Sequence, residues 1–478
     1  MSNAPNLLLI IADGMQAETV EDGHVCQTPA LDQLRRRGLN FTNAHTTSPT
    51  CSPARASLMT GLMPHNHGVL EIEHAHDDDQ FVLRTAHPHF AQRLAAAGYR
   101  TAYFGKWHIE PTHDVARFGW QEGVVKGAEH VAGLGRGDDG PSLYELDPSL
   151  TGYIEGRKGY RRLLHWGVTD TPIEDRYPGL TVVDALRFLE SVEDGPSPWC
   201  CCVSFSEPNE ALVVGREAWQ RYDIESLPLP ANFRDDMTGR PNIYRREQEI
   251  GANIDEAHWR AARGCYFGRI TEVDELCGRM LDALERQGKL DQTVVVFLSD
   301  HGRYVGAHGF DAHNFGGFEE IYRIPLIIAG PGVAVGETPA AVSIADLAPT
   351  LCELGGATLT TTDSRSLVRL LQGPGGVDEF RTGYAEYHGT RFPLMQRVLW
   401  QDGWKLVFNG FDYDELYHLE ADPAELHNLA DLPEHRERLE RMMAEIWRKV
   451  RDTGDRTIHQ SHYFSLRFAC VGPDAADN

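Results

Sequence analysis

Positive charge and long apolar runs are both scarce in this sequence of 478 residues. Lysine and arginine together number 45 against 70 aspartate and glutamate residues, which gives a formal net charge of -25 at pH 7. Such a surplus of negative charge repels phosphate backbones and anionic lipid surfaces, so we predict no nucleic-acid partner and no membrane partner. The apolar run 7–11 is too short to span a bilayer and lacks the charged start and cleavage site of a signal peptide.

The cysteines do not form the pattern of a small disulfide-stabilised domain. Nine cysteines are an odd number, and three of them form the triplet Cys200-Cys201-Cys202 inside the apolar run 199–205, which we interpret as a buried strand. Buried thiols suit a reducing compartment. We therefore expect a cytoplasmic protein.

Strand and helix patterns alternate along most of the chain. Apolar runs at 7–12, 199–205 and 293–299 predict buried strands. The segment 28–38 predicts a helix that Thr28 caps and Gly38 ends, and Thr181 is predicted to cap another helix that runs to about Val192. This alternation predicts an α/β fold in which helices cover both faces of a large, mostly parallel sheet.

The pattern changes after about residue 363. Short strand patterns around the Asp402-Gly403 turn and a helical pattern at about 433–451 predict a smaller antiparallel sheet packed with a helix. We predict a catalytic domain at 1–363, an α+β subdomain at 364–460 and a tail at 461–478. The tail could pack on a neighbouring copy, which would make a homo-oligomer.

Four polar residues come directly after predicted strands: Asp13, Lys106, Asn209 and Asp300. In parallel sheets, ligands bind beyond the carboxyl ends of the strands. We therefore expect these four side chains to share one edge of the sheet.

The segment Cys51-Ser-Pro-Ala-Arg55, followed by Ala-Ser-Leu-Met-Thr-Gly, is similar to the signature of the type I, formylglycine-dependent sulfatases of the alkaline phosphatase superfamily. The resemblance implies an alkaline-phosphatase-like fold, a sulfate ester as substrate, and oxidation of Cys51 to formylglycine by a dedicated maturation enzyme. The physical logic is that a helix start and Arg55 can hold anionic oxygens at residue 51.

The resemblance also implies a metal ion, because a hydrated aldehyde becomes a nucleophile near neutral pH only when a cation lowers its pKa. Asp13, Asp300 and His301, together with residue 51, are the predicted ligands. Gly14 stands where many sulfatases have a second acid, as in the branch that contains choline sulfatases and phosphonate monoester hydrolases. One carboxylate fewer and one imidazole more favour Mn²⁺ or Zn²⁺, while Ca²⁺ remains possible.

The segment Gly105-Lys106-Trp107-His108 is a further match. The resemblance implies that Lys106 and His108 contact the sulfate and the nucleophile.

Two other segments depart from the family. Asn209 stands where the family has a histidine after Ser-Phe-x-x-Pro, and Asn cannot act as a general acid.

The second departure is the absence of the family's lysine from the segment 310–320. His313 and Asn314 are the nearest substitutes. We predict His313 as the leaving-group acid or a sulfate ligand, with an ordinary surface histidine as the alternative, and we predict Asn209 and Asn314 as substrate contacts.

The predicted reaction follows from the resemblance, which extends over nearly the full chain. The hydrated formylglycine attacks sulfur in line, Arg55 holds the nucleophile, Lys106 and His108 neutralise charge, and the second hydroxyl then expels sulfate. The alternatives are a phosphonate monoester or phosphodiester hydrolase with the same residues, or a non-catalytic binding protein. The sequence does not identify the alcohol part of the substrate.

Overall fold

The structure is a computed structural model that describes residues 4–73, 80–126, 144–156, 159, 162–192, 197–373, 375–459 and 468–477. Of the predicted tail, 461–478, the described residues include 468–477. Within the described residues, no helix combines the length and the apolar character that crossing a membrane requires.

The strands form a large central sheet and three smaller ones. In chain order they are β1 Asn6–Asp13, β2 Gly38–Phe41, β3 Ala44–His45, β4 Arg100–Lys106, β5 Glu122–Lys126, β6 Leu146–Ile154, β7 Leu163–Thr169, β8 Trp199–Pro208, β9 Leu212–Gly215, β10 Thr293–Ser299, β11 Leu326–Ala329, β12 Gly336–Thr338, β13 Val342–Ser343, β14 Thr382–Tyr387, β15 Gln396–Gln401, β16 Trp404–Phe408 and β17 Glu415–His418.

The α-helices fill the connections between strands. They are α1 Pro29–Arg37, α2 Cys51–Thr60, α3 Pro64–His67, α4 Phe90–Ala96, α5 Tyr177–Ser191, α6 Arg216–Trp219, α7 Asn242–Gly251, α8 Glu256–Arg286, α9 Glu319–Tyr322, α10 Leu347–Leu354, α11 Val368–Leu371, α12 Arg436–Asp452 and α13 Arg456–His459.

The central sheet has eight strands in the order β12-β2-β11-β10-β1-β8-β4-β5. Strand β1 lies between β10 and β8 and is parallel to both. Only β11 runs against its neighbours β10 and β2 among the described strands of this sheet. The predicted mostly parallel sheet is therefore confirmed.

Apolar side chains cover both faces of the sheet because successive residues of a strand point to opposite sides. In β1, Leu8 and Ile10 pack into one core with the long helix α8, whereas Leu7 and Leu9 pack into the other core with α2 and α10. The cysteine triplet is divided in the same way, with Cys201 in the first core and its two neighbours in the second. The α/β sandwich is thus built from strands that are buried on both sides.

A separate four-stranded antiparallel sheet, β14-β15-β16-β17, follows in the last part of the chain. Helix α12 packs on it through Met442, Met443 and Trp447. This smaller sheet with its helix confirms the second half of the predicted fold class.

Two details of the predicted helix starts are wrong. Thr28 precedes α1, but its side chain makes no capping hydrogen bond to the first turn. Thr181 lies inside α5, which already begins at Tyr177. Pro178 suits the first turn of a helix, so α5 begins there without a threonine cap.

Candidate active site

The ends of adjacent parallel strands bring the predicted polar residues together. Asp13 ends β1 and pairs in register with Pro208 of β8, so Asn209 follows beside it. Ala12 pairs with Ser299 of β10, so Asp300 follows on the other side. Lys106 ends β4, the neighbour of β8. The expected common edge is thus formed by four strands.

Helix α2 presents Cys51 to this edge. Cys51 is the first residue of the helix, all ten helix residues are buried, and the helix ends at Gly61 with a left-handed φ of 73°. Arg55 lies one turn after Cys51 and therefore on the same helix face. The sequence Cys-x-Pro-x-Arg thus sets two side chains side by side at the buried start of a helix.

Arg55 uses its five N–H groups on fixed acceptors. Its Nε donates to Oδ2 of Asp300 at 2.7 Å, and Nη2 donates to Oδ2 of Asp13 at 3.2 Å and to the Phe205 carbonyl at 3.4 Å. Its Nη1 donates to Oγ of Ser204 at 2.6 Å and to the Lys106 carbonyl at 3.1 Å. A guanidinium has five donors, and these contacts use all of them. Arg55 therefore orients the two carboxylates beside Cys51, and its predicted hold on the nucleophile stays a prediction.

Lys106 joins Arg55 on the same oxygen of Asp13. Burial alone would raise the pKa of the Asp13 carboxyl, but the charges of Lys106, Arg55 and His301 hold that pKa well below its usual range. Asp13 is therefore ionised, and the two carboxylates Asp13 and Asp300 are balanced by two buried cations.

One oxygen of each carboxylate remains turned towards Cys51 and His301. Oδ1 of Asp13 lies 3.6 Å from Nε2 of His301 and 3.8 Å from Sγ of Cys51, and Oδ1 of Asp300 lies 3.7 Å from the same Nε2. Nδ1 of His301 lies 2.7 Å from the Gly302 carbonyl, which requires a proton on Nδ1, so in the neutral tautomer the lone pair is on Nε2. The four ligand atoms lie within 4.8 Å of one another, so the residues fit a divalent cation.

Gly14 contributes to this arrangement through its backbone. Its φ of 74° lies in the region that favours glycine, and its N–H donates to Oδ1 of Asp300 at 3.2 Å. The position that carries a second acid in many sulfatases is therefore used here to orient Asp300.

His313 lies directly against the predicted ligands. Its Nε2 is 3.7 Å from Sγ of Cys51, and its ring stacks on His301 with 4.1 Å between centroids. Burial, together with the charges of His301 and Arg303, lowers the pKa of His313 well below its usual value. Its Nδ1 is buried and finds no hydrogen-bond partner among the described residues. The structure thus places His313 inside the site, as a neutral imidazole, rather than on the surface.

The two asparagines have different positions. Nδ2 of Asn209 lies 3.9 Å from Sγ of Cys51. Asn314 has a φ of 73°, and its N–H donates to the carbonyl of Pro49 at 3.2 Å, which ties the loop of His313 to the segment before Cys51. Its buried side-chain oxygen has no partner among the described residues.

His108 is buried at the edge of this group. Its Nε2 lies 3.9 Å from Oε2 of Glu73, and its backbone φ of 55° is in the left-handed region. The predicted contact of His108 with the transferring group stays a prediction.

Two groups of the site escaped prediction. Ser204, inside β8, accepts from Arg55, and Arg303 donates to Oδ1 of Asn209 at 2.9 Å. The sequence feature that pointed to Arg303 was its position directly after Asp300-His301-Gly302, because a basic residue is unusual in a loop of metal ligands.

The thiol of Cys51 is itself a poor nucleophile in this environment. Burial and the charge of Asp13 raise its pKa well above the usual value, so the thiolate is disfavoured. What the arrangement offers at residue 51 is a helix start, two buried cations and a set of metal ligands, which suit a negatively charged transferring group better than thiol chemistry.

Comparison with known proteins identifies two matching family models. The sulfatase model matches residues 5–357, and the model of the C-terminal part of N-sulphoglucosamine sulphohydrolase matches residues 306–452. Together the two models cover most of the chain, including every predicted site residue.

Individual relatives match along most of their length. The choline-sulfatase of Rhizobium meliloti (strain 1021) is 31% identical over 457 residues, which cover 90% of this chain and 83% of that protein. The N-acetylglucosamine-6-O-sulfatase of Bacteroides thetaiotaomicron is 26% identical over 512 residues, with 92% and 85% covered. Among solved structures, the phosphonate monoester hydrolase of Silicibacter pomeroyi superimposes with a TM-score of 0.78 at 22% identity, covering 95% of this chain and 97% of that one.

Proposed function

The chain belongs to the sulfatase family and is a sulfuric ester hydrolase, and from this premise we propose that it acts on sulfate monoesters of small alcohols. The resemblance of its motifs to those of the type I sulfatases is confirmed by the family match. Cys51 is the residue from which this family makes its formylglycine nucleophile.

One observation carries the proposal. Cys51 stands at the start of α2 within 3.8 Å of Asp13 and 3.0 Å of Nε2 of His301, and Lys106 and Arg55 converge on the same carboxylate. A nucleophile at residue 51 is therefore surrounded by metal ligands and buried positive charge. A binding protein without catalysis would have no physical need for this combination.

Each residue then has a stated task in sulfate transfer. Asp13, Asp300 and His301 would hold the ion, which when bound supplies Lewis acidity and positive charge. Arg55 keeps the two carboxylates in place, and Lys106 offsets charge on the transferring group. With Cys51 converted to hydrated formylglycine, attack by one hydroxyl would form the new O–S bond while the ester S–O bond breaks and the alcohol leaves with the proton that the hydroxyl gives up. The second hydroxyl would then lose its proton as the C–O bond to the sulfate group breaks, which releases sulfate and restores the aldehyde. Nδ2 of Asn209 and Nε2 of His313 lie 3.9 Å and 3.7 Å from Sγ of Cys51, as potential donors to substrate oxygens.

We propose Mn²⁺ or Zn²⁺ as the preferred ion, with Ca²⁺ as a weaker alternative. The support is the mixed donor set of two carboxylate oxygens, one imidazole nitrogen and residue 51, whereas Ca²⁺ prefers cages of six to eight oxygens. Metal analysis of the purified protein, followed by reconstitution with each ion, tests this preference.

The identity of the alcohol in the sulfate ester is the more specific part of the proposal. The relative at 31% identity is named a choline-sulfatase and a second relative is named for an amino-sugar sulfate, so choline sulfate and N-acetylglucosamine 6-sulfate are the first natural candidates. The alternative is a phosphonate monoester or phosphodiester hydrolase, because the branch that Gly14 resembles contains phosphonate monoester hydrolases as well as choline sulfatases.

The deciding experiment compares kcat/KM on an aryl sulfate, choline sulfate, N-acetylglucosamine 6-sulfate, an aryl phosphonate monoester and a phosphodiester. We expect a sulfate ester to have the highest value. A higher value for the phosphonate would establish the alternative instead. A protein with a plain thiol at residue 51 and no bound metal, made together with a maturation enzyme, would establish a binding protein.

Three proposals concern the surroundings of the enzyme. A formylglycine-generating enzyme acts on Cys51, and we propose the cytoplasm as the location, supported by nine free cysteines, eight of them buried. A homo-oligomer stays a prediction, which size-exclusion chromatography with light scattering tests.

A further inference from the structure

Arg303 is a second fully buried arginine beside the site. Its guanidinium donates to three acceptors: Oδ1 of Asn209 at 2.9 Å, Oε2 of Glu210 at 3.0 Å and Oδ2 of Asp311 at 2.8 Å. Arg303 is therefore connected directly to an asparagine that lies against Cys51.

These contacts determine which way the Asn209 amide faces. An arginine side chain can only donate, so the group it meets must be the amide oxygen. The same Oδ1 also accepts the backbone N–H of Glu210 at 2.9 Å, which occupies its second lone pair. The NH₂ group must then face the other way, where Nδ2 lies 3.9 Å from Sγ of Cys51.

Arg303 is itself held in place by a hydrogen-bonded chain. Asp311 also contacts Nε2 of His165 at 2.8 Å through its other oxygen, and Nδ1 of His165 lies 2.9 Å from Nε2 of His258. Burial alone would raise the pKa of Asp311, but Arg303 and His165 hold it well below its usual range. The guanidinium thus has an ionised partner that fixes its plane.

A cavity of about 220 Å³ adjoins these hydrogen-bonded side chains on the side away from Cys51. Arg303, Asp311, Glu210 and His165 contribute to its lining. Rotation of Arg303 into that space would release the Asn209 amide. The ion pairs with Asp311 and Glu210 oppose such a rotation.

We propose that Arg303 is a positioning residue that locks Asn209 with its NH₂ group towards the substrate. Asn209 then donates a hydrogen bond to an oxygen of the transferring group and cannot turn its acceptor oxygen towards that anion. The inference rests on the proposed sulfatase function and adds a residue pair, Arg303 and Asn209, at the point where this chain departs from the family's histidine.

The test is a double-mutant cycle on hydrolysis of the best sulfate ester. Asn209→Ala removes the donor, and we expect kcat to fall about 10- to 100-fold, which corresponds to one hydrogen bond to a charged group, with a small change in KM. Arg303→Met leaves the amide held only by the Glu210 N–H, and we expect a smaller but measurable loss of kcat. Because both act through one hydrogen bond, Arg303→Met should cause no further loss in the Asn209→Ala background. Fully additive losses would overturn the proposal.

Two further variants separate orientation from stability. Asn209→Asp keeps the size and the contact with Arg303 but has no donor and faces the anion with an acceptor oxygen, so its kcat should fall at least as far as that of Asn209→Ala. Arg303→Lys keeps the charge beside Asp311 and should restore part of the activity. An Asn209→Asp variant with wild-type kcat would overturn the proposal even if Arg303→Met failed to fold.

The matched control for buried-arginine loss is Arg397→Met. Arg397, in β15 of the C-terminal sheet, is also fully buried and donates to Asp455, so its loss should lower the unfolding midpoint without lowering kcat. A wild-type protein that hydrolyses no sulfate ester would contradict the proposed function. If the wild-type protein hydrolyses a sulfate ester and Arg303→Met keeps the full kcat, only the role of Arg303 is contradicted.

Discussion

Replacing Lys106 by methionine removes the buried positive charge that offsets charge on the transferring group. Most of the side-chain volume is kept. The ammonium is 2% exposed and binds Asp13, whose charge outweighs burial and raises the pKa of Lys106. Loss of one such preorganised donor typically costs ~2.7–4 kcal/mol of transition-state stabilisation, a decrease in kcat of about 10²–10³-fold. Asp13 keeps Arg55 as a partner, so folding stability should fall by less than the ~3–5 kcal/mol that an uncompensated buried charge costs.

Lys405→Met is the matched control. Lys405 is also fully buried and binds Glu319 at 3.2 Å and Glu425, but it lies in the C-terminal antiparallel sheet. We expect Lys405→Met to lower the unfolding midpoint at least as much as Lys106→Met and to keep kcat near the wild-type value. The assay is steady-state sulfate release together with thermal unfolding of the same preparations. Near-normal kcat for Lys106→Met, or equal losses of kcat in both variants, would refute the role given to Lys106.

The remaining predictions use the same two measurements. Cys51→Ala should abolish turnover and preserve the unfolding transition, and residual turnover would place the nucleophile elsewhere. Chelation should stop turnover and, for an ion present at 100 times its Kd, remove about 2.7 kcal/mol of stability, both restored by Mn²⁺ or Zn²⁺; unchanged activity after chelation would exclude the metal. His313→Ala should lower kcat about 10- to 100-fold through loss of a hydrogen bond to a charged group, and an unchanged kcat would leave His313 a packing role. Burial alone would lower the pKa of His65, but Glu386 raises it from 6.5 to about 9, so this pair stabilises the fold fully below pH 6.5 and progressively less as the pH rises through 9. Stability measured against pH should lose that component in His65→Phe, and an unaltered pH profile would exclude the linkage.

Much of the fold was predictable because strand burial leaves a strong pattern. The runs that became β1, β8 and β10 are apolar on both faces, and their flanking polar residues mark the strand ends. Helix boundaries were less predictable. Thr181 has the chemistry of a cap, yet Pro178 starts α5 a full turn earlier, and residue preference alone does not decide between them.

The residues around Cys51 were predictable from motifs, but their partners were not. Motif position indicated that Arg55, Lys106 and Asp300 belong to one site. Which acceptor each donor uses depends on distances between residues up to 245 positions apart, such as Arg55 and Asp300. For that reason the place of Arg55 was predictable from the motif but its acceptors were not.

Arg303 illustrates the part that a single sequence does not reveal. Its function depends on Asp311 and Asn209, which reach it from two other segments. Nothing in the sequence indicates that the asparagine in the place of a histidine would be held by an arginine from the metal-ligand loop.

The central claim is that residue 51 carries the family's aldehyde within a sulfatase site. The most direct test is mass spectrometry of the peptide containing residue 51, from protein that was produced together with a formylglycine-generating enzyme and that releases sulfate from an ester. The account predicts the mass of formylglycine at residue 51 in proportion to activity. A fully active preparation that contains only the cysteine thiol would contradict it.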